Sequence, residues 1–210
     1  MSESKTREAI ARFGQSLFMR GYGCGASGNI SVKLDDGFLV TPTNSCMGFL
    51  EPDRISKVSF EGEHLSGDKP SKETFFHLAM YEERPEDRAI VHLHSTHSVA
   101  VSCMDGLDEK DVLPPITAYY VMKIGKLPLV PYFRPGDKSL ADAVRSYARD
   151  HHAMLLANHG PIVSAKALDA AVYSAEELEE TAKLFLLLDG RPIRPLNPSQ
   201  IADLREAFPT

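Results

Sequence analysis

Cysteine is scarce in this chain. Only three of its 210 residues are cysteines, and the scattered positions of Cys24, Cys46 and Cys103 exclude a disulfide framework and a zinc site built from cysteines. The sequence also lacks any apolar run of the roughly 20 residues that cross a bilayer, and its first residues lack the apolar core of a signal peptide. We therefore expect a cytoplasmic protein that does not enter a membrane.

Positive charge is in the minority. Lys and Arg number 23 against 29 Asp and Glu, a formal net charge of −6, and the pI is near 5.7. This balance argues against a nucleic-acid-binding surface, so an anionic ligand needs a local cluster of donors or a metal. With 43% hydrophobic and 25% charged residues and no repeat or linker, the chain has the size and composition of one soluble domain, over residues 1–210.

Helices and hairpin-linked strands alternate along the sequence. Asp36-Gly37, between two apolar runs, indicates a β-hairpin over residues 30–41, and residues 167–188 carry apolar side chains at helical spacing. The other predicted elements are helices over 4–20, after Pro70-Ser71, from His97, over 139–147 with Ser139 as the cap and near 199–207, strands over 55–60, 89–94 and 153–157, and a connecting stretch over 114–135. This order predicts an α/β fold with a largely antiparallel sheet covered by helices.

The sharpest chemical feature is the sequence His92-Leu93-His94. Side chains two residues apart in a strand share a face, so both imidazoles project together while Leu93 faces the core. Two imidazoles on one face can reach the same metal ion. Two surface histidines at this spacing by chance are the simpler interpretation of this motif alone.

Two further residues favour a metal site. His159 follows the apolar strand Met154-Leu-Leu-Ala157 directly, and Glu73 stands at the start of a predicted helix. Alone, His159 is an ordinary turn residue and Glu73 a first-turn acid favoured by the helix dipole. Three histidines with an open position and a carboxylate beside them describe a catalytic zinc site. His77, one helical turn after Glu73, is interpreted as a helix-surface or supporting residue.

Three turns could present donors to an anion. They are Ser27-Gly28-Asn29, Thr41-Pro-Thr43-Asn44-Ser45 and Ser71-Lys72 at a helix N-terminus. Ordinary turn chemistry and capping explain each equally well. The segment 23–28 matches G-x-G-x-x-G, but a helix precedes it and a strand follows, the reverse of the order in a dinucleotide-binding fold.

Together these motifs resemble the class II aldolase/adducin family. The resemblance rests on Gly28-Asn29-Ile-Ser31, Thr41-Pro42-Thr43, Pro70-Ser71-Lys72-Glu73, His92-Leu-His94 and Asn158-His159-Gly160, and runs from about residue 5 to residue 190. It implies a three-layer α/β/α sandwich and a homotetramer with its sites between subunits. Thr41-Pro-Thr-Asn-Ser-Cys-Met-Gly48, Lys72 in place of a serine of the aldolases, and Tyr132-Phe-Arg-Pro-Gly-Asp137 are similar to the 3-oxo-tetronate 4-phosphate decarboxylases of that family.

The resemblance also implies roles for single residues. His92, His94 and His159 would hold one zinc ion per chain, and Glu73 would be the acid/base and a further ligand when substrate is absent. The phosphate would lie among six residues: Gly28, Asn29, Thr43, Asn44, Ser71 and Lys72. Tyr119 is a candidate for the tyrosine that acts from a neighbouring subunit in the aldolases.

The implied reaction is decarboxylation of a phosphorylated sugar acid to dihydroxyacetone phosphate and CO2, through an enediolate stabilised by the metal. Whether Lys72 meets the phosphate or the carboxylate of the substrate stays open. Two alternatives remain at this point. One is a phosphoketose aldolase of the fuculose- or rhamnulose-phosphate type, and the other is a non-catalytic, adducin-like interaction module.

Overall fold

Eight strands form one mixed sheet at the centre of the computed structural model, which describes residues 2–208. In chain order they are β1 Asn29–Lys33, β2 Phe38–Val40, β3 Ser56–Val58, β4 His64–Ser66, β5 Ala89–His92, β6 Leu129–Val130, β7 Ala153–Leu156 and β8 Gly160–Ala165. Their order across the sheet is β4-β3-β2-β1-β5-β8-β7-β6. Only the edge pair β6–β7 is parallel among these strands. The predicted largely antiparallel sheet is therefore confirmed.

The described residues form seven helices, six of which cover the two faces of the sheet. They are α1 Glu3–Met19, α2 Thr74–Glu83, α3 Thr96–Ser102, α4 Ala118–Lys123, α5 Ser139–Ala148, α6 Leu168–Leu187 and α7 Pro198–Ala207, and two short 3-10 helices span Met47–Phe49 and Pro52–Arg54. Helices α2 and α5 pack together on one face, whereas α1, α3, α4 and α6 pack on the other. The three-layer α/β/α sandwich is confirmed.

The central strands are buried on both sides. In β5, Ile90 packs into the core beneath α2 and α5, while Ala89 and Val91 pack into the core beneath α6. The sequence of a strand covered on both faces is a continuous apolar run, because neither face contacts water. The hairpin β1–β2 turns at Gly37, where a Cβ atom would lie 2.3 Å from the carbonyl oxygen of Val58, so only glycine fits this turn.

Three details differ from the sequence-based expectation. The stretch 114–135 contains α4 and β6, which are too short to show a periodicity. Ser139 does not cap α5, because it is the first residue of the helix and Lys138 is the N-cap; the Asp137 carboxylate accepts from the Ser139 backbone N–H at 3.0 Å. Strand β5 ends at His92, so His94 lies beyond the strand.

The other predicted elements are confirmed within a few residues. The predicted single domain over residues 1–210 includes Met1, Pro209 and Thr210, which lie outside the described residues, and it stays a prediction. Within residues 2–208, none of the helices combines the length and the apolar character that crossing a membrane requires.

Candidate metal centre

His92 and His94 reach the site from the end of β5. His92 is fully buried, pairs across the sheet with Asn29 and Ile162, and meets the Phe76 ring edge-on. Although the strand ends at His92, the backbone N–H of Leu93 still donates to the carbonyl of the residue before Ile162, at 3.2 Å. The alternation of side chains therefore continues for two more residues, which explains why both imidazoles project to one side.

His159 reaches the site from the tight turn between β7 and β8. Asn158 has a left-handed backbone with φ of 54°, and its N–H donates to the carbonyl of Ser102. At Gly160, with φ of 154°, a Cβ atom would lie 2.3 Å from the carbonyl oxygen of Leu93. The absence of a side chain at Gly160 therefore lets the turn approach the segment that carries His94.

Glu73 enters the site from the residue before α2. Its backbone N–H donates to Ser71 Oγ at 3.2 Å, and its Oε2 accepts from Asn29 Nδ2 at 2.7 Å. These two contacts fix the carboxylate against the beginning of β1.

The structure brings all four predicted ligands together. The Nε2 atom of His94 lies 3.0 Å from that of His92 and 3.1 Å from that of His159. Glu73 Oε2 lies 3.5 Å from His92 Nε2, and Glu73 Oε1 lies 3.2 Å from His159 Nε2. The four ligand atoms all lie within 4.8 Å of one another.

This donor set fits a divalent metal ion. His92 Nδ1 lies 2.9 Å from the carbonyl oxygen of Pro161, which can only accept, so Nδ1 carries the proton and Nε2 points a lone pair into the cluster. Two nitrogen ligands about 2.0–2.1 Å from a tetrahedral metal lie about 3.3 Å apart, close to the observed spacings. Three imidazole nitrogens leave the fourth position of a tetrahedral metal to the carboxylate or, in its place, to a substrate.

Burial and neighbouring charges set the protonation states of the cluster. Burial lowers the pKa of His92 to about 3, and burial together with His159 lowers the pKa of His94. Burial alone would raise the pKa of Glu73, but the interactions with His92, His159 and Asn29 outweigh it and hold the pKa below its usual range. Neutral imidazoles and an ionised carboxylate are the forms that bind a divalent metal.

The predicted anion-binding turns lie close to one another. A bridge between Pro42 and Pro70 and a hydrogen bond from Thr43 N–H to the carbonyl of Lys69 hold the turn 41–45 beside Ser71. Asn29 Nδ2 lies 3.3 Å from Ser71 Oγ. The structure thus joins three of the predicted segments in one region next to Glu73.

The remaining predicted site residues differ in placement. Gly28 has φ of 76°, and a Cβ atom there would lie 2.8 Å from the carbonyl oxygen of His92. Asn44 is exposed in a left-handed conformation with φ of 56°, and Lys72 is exposed. Tyr119 is 64% exposed on α4, which packs against α6 and α7, and it lies outside the cluster.

Sequence reasoning left the role of His77 open and missed its buried partners beneath the cluster. His77 is fully buried, and its Nε2 lies 2.5 Å from Asn29 Oδ1, so it is a supporting residue and not a helix-surface one. The signal lies in the spacing. Glu73, His77 and Tyr81 are four residues apart and share a helix face, while Asn29 and Ser31 share a strand face.

Comparison with known proteins identifies the family. The model of the class II aldolase and adducin N-terminal domain matches residues 8–186. The 3-oxo-tetronate 4-phosphate decarboxylase of Escherichia coli strain K12 is 54% identical, with 97% of this chain and 96% of that protein covered. The L-fuculose phosphate aldolase of Methanocaldococcus jannaschii is 37% identical, with 82% and 91% covered. The crystal structure of YgbL from Escherichia coli superposes with a TM-score of 0.95 at 52% identity, covering 97% of this chain and 99% of that chain. The chain therefore belongs to the class II aldolase/adducin family.

Proposed function

We propose that this chain is a zinc-dependent carboxy-lyase that converts a 3-oxo-tetronate 4-phosphate into dihydroxyacetone phosphate and CO2. The observation that carries the proposal is the convergence of His92, His94, His159 and Glu73 within 4.8 Å. Relatives that are 46–54% identical over nearly their whole length bear this activity in their names.

The substrate has the chemistry that this reaction needs. It carries a carboxylate at C1, a hydroxyl at C2, a ketone at C3 and a phosphate at C4. When the C1–C2 bond breaks, CO2 leaves and the electron pair passes to the C3 carbonyl, which gives an enediolate. One proton added at C2 then completes dihydroxyacetone phosphate.

The three imidazoles would hold the zinc ion, which supplies Lewis-acid stabilisation of the negative charge that develops on the substrate oxygens. Glu73 would deliver the proton to C2 and recover one from solvent. Asn29 orients its carboxylate for that transfer through the 2.7 Å hydrogen bond.

The phosphate would be held by donors near the beginning of α2. Because the chain is acidic overall, binding of an anion depends on local N–H and O–H groups. Gly28, Asn29, Thr43, Asn44, Ser71 and Lys72 are proposed for this role, helped by the dipole of α2. Lys72 adds a positive charge for either the phosphate or the extra carboxylate of a sugar-acid substrate.

A homotetramer with sites between subunits is part of the proposal. The exposure of Tyr119 suits a side chain that acts on a neighbouring subunit, and we propose it as a candidate proton donor. Sedimentation velocity on the purified protein tests the assembly. The cytoplasmic location stays a prediction.

The second candidate is a phosphoketose aldolase. It is favoured by the relatives named L-fuculose phosphate aldolase, at 34–37% identity, and it would use the same four residues. The complete ligand cluster weighs against a non-catalytic, adducin-like module.

One experiment separates these functions. Four-carbon 3-oxo acid phosphates are made in situ by a kinase and a dehydrogenase and are supplied to the enzyme in D2O. The decarboxylase releases CO2 and forms, at initial rates, an equal amount of dihydroxyacetone phosphate with one deuterium on the hydroxymethyl carbon. Release of lactaldehyde from fuculose or rhamnulose phosphate, without CO2 from any 3-oxo acid, would establish the aldolase instead.

A further inference from the structure

A chain of hydrogen bonds runs from the protein interior to the carboxylate of Glu73. The Tyr81 hydroxyl lies 2.8 Å from Ser31 Oγ, which lies 2.7 Å from His77 Nδ1. His77 Nε2 lies 2.5 Å from Asn29 Oδ1, and Asn29 Nδ2 lies 2.7 Å from Glu73 Oε2. The four residues behind Glu73 are all buried, so water does not compete for these bonds.

Only one arrangement of protons satisfies every step. A carboxylate oxygen accepts, so the Asn29 amide turns its NH2 group to Glu73 and its Oδ1 to His77, whose Nε2 must then carry a proton. Burial lowers the pKa of His77 to about 4, so the ring is neutral and its Nδ1 accepts. The Ser31 hydroxyl therefore donates to Nδ1, and the Tyr81 hydroxyl donates to Ser31.

We propose that His77 is a positioning residue which, by donating to Asn29 Oδ1, holds the amide with its NH2 group towards Glu73. This inference rests on the proposed function, because it gives Glu73 its role as the acid/base. Without the donor at His77, the amide can rotate and place Oδ1 against the carboxylate. Two acceptors at the distance of a hydrogen bond repel each other, so Glu73 would lose its position.

The same amide orientation serves a second predicted group. With its NH2 towards the site, Asn29 also donates to Ser71 Oγ at 3.3 Å. The orientation of one amide thus couples the acid/base to the predicted phosphate-binding turn. Ser31 and Tyr81 accommodate this tautomer, because the Ser31 hydroxyl can donate to Nδ1 while it accepts from the Tyr81 hydroxyl.

A double-mutant cycle tests whether His77 acts through Asn29. We expect His77→Leu to lower kcat for decarboxylation by about 10-fold to 100-fold, with one zinc still bound per chain. His77→Gln, which keeps a donor near the Nε2 position, should retain more activity. Combining His77→Leu with Asn29→Ala should lower kcat no further than Asn29→Ala alone, whereas independent structural damage would multiply the two losses.

The control is His152→Leu, which removes another partly buried imidazole, one hydrogen-bonded to the carbonyl of Ser164, and should leave kcat and KM unchanged. In a separate measurement, two-bond ¹H–¹⁵N correlations on histidine-labelled protein report the tautomer of His77, assigned through the His77→Gln variant. A neutral ring protonated at Nε2 is expected.

Three results would overturn the positioning role: a ring protonated at Nδ1, multiplied losses in the double variant, or normal kcat in His77→Leu. If the wild-type protein releases no CO2, the proposed function fails, while the tautomer measurement still decides the proton arrangement. If His77→Leu does not fold, the tautomer of His77 in the wild-type protein still tests the positioning role.

Discussion

At the scale of single residues, the site depends on which imidazole nitrogen carries a proton. The Pro161 carbonyl fixes this for His92, and the cluster presents lone pairs where an ion would lie. The convergence of the histidines could be predicted from sequence, because strand alternation and the end of an apolar strand are local patterns. The link from His77 to Asn29 joins residues 48 positions apart. The spacing marks a face of α2 and a face of β1, but that these two faces meet depends on long-range packing.

Loss of one imidazole should lower zinc content and activity together. His94→Ala leaves two nitrogen ligands and Glu73, so we expect well under one zinc per chain and a loss of turnover of the same degree. Elemental analysis after gel filtration measures the metal. His64→Ala, on the exposed edge strand, is the matched control. Full zinc occupancy with normal turnover in His94→Ala would refute the ligand assignment.

Replacement of Lys72 should weaken substrate binding. The ammonium adds to the α2 dipole in holding an anionic group, so Lys72→Ser should raise the Kd of the phosphorylated acid by more than about tenfold, or about 1.4 kcal/mol. Isothermal titration with a non-reactive analogue measures the change. Lys69→Ser, also exposed and three residues earlier, should change little. Equal changes in Kd for the two substitutions would show that Lys72 is a solvated surface lysine with no role in binding.

At the scale of elements, α3 is held by a carboxylate from another helix. Glu179 on α6 is buried and accepts from the backbone N–H groups of His97 and Ser98 and from the Ser98 hydroxyl at 2.7–2.9 Å. The Glu179 carboxylate thus replaces the side chain of an N-cap residue. Helix α3 begins two residues after His94. The long helices were predictable from their periodicity, but this cap was not, since it depends on the packing of α6 against α3.

Removal of this distant cap should destabilise the fold. Glu179→Ala leaves buried donors at the start of α3 without their acceptor, so we expect a loss of about 2 kcal/mol or more in the free energy of unfolding. Urea titration followed by circular dichroism measures it. Glu180→Ala, which alters a half-exposed carboxylate on the same helix, should cost about 0.5 kcal/mol or less. Equal losses would show that Glu179 has no special role.

At the scale of the whole molecule, burial of neutral histidines makes stability depend on pH. The folded pKa of His77 is about 4, below the unfolded value of about 6.5. The unfolded chain therefore binds more protons between these values. The contribution of neutral His77 to the free energy of unfolding is complete above about pH 6.5 and declines as the pH falls towards about 4.

At the same scale, sequence predicts a largely antiparallel sheet but not the order of its eight strands, because that order depends on long-range pairing.

The pH dependence can be assigned to one residue. We expect the metal-free wild-type protein to lose up to about 3 kcal/mol more of its unfolding free energy than His77→Gln between pH 6.5 and pH 4. Urea titrations at several pH values, with a chelator present, measure both proteins. His64→Gln, at an exposed position, should follow the wild type. Parallel curves for wild type and His77→Gln would mean that His77 titrates normally in the folded chain.

The order of strands in the sheet has an energetic consequence. The cluster and its support lie at the ends of β1 and β5, before α2 and in the turn before β8. Strands β1, β5 and β8 are neighbours in the sheet, but residues 34–88 and 93–159 separate them along the chain. A metal bound there would hold the three central strands together, and the unfolded chain would lose the arrangement that binds it. Each tenfold rise of free metal above its dissociation constant then adds about 1.4 kcal/mol to the free energy of unfolding.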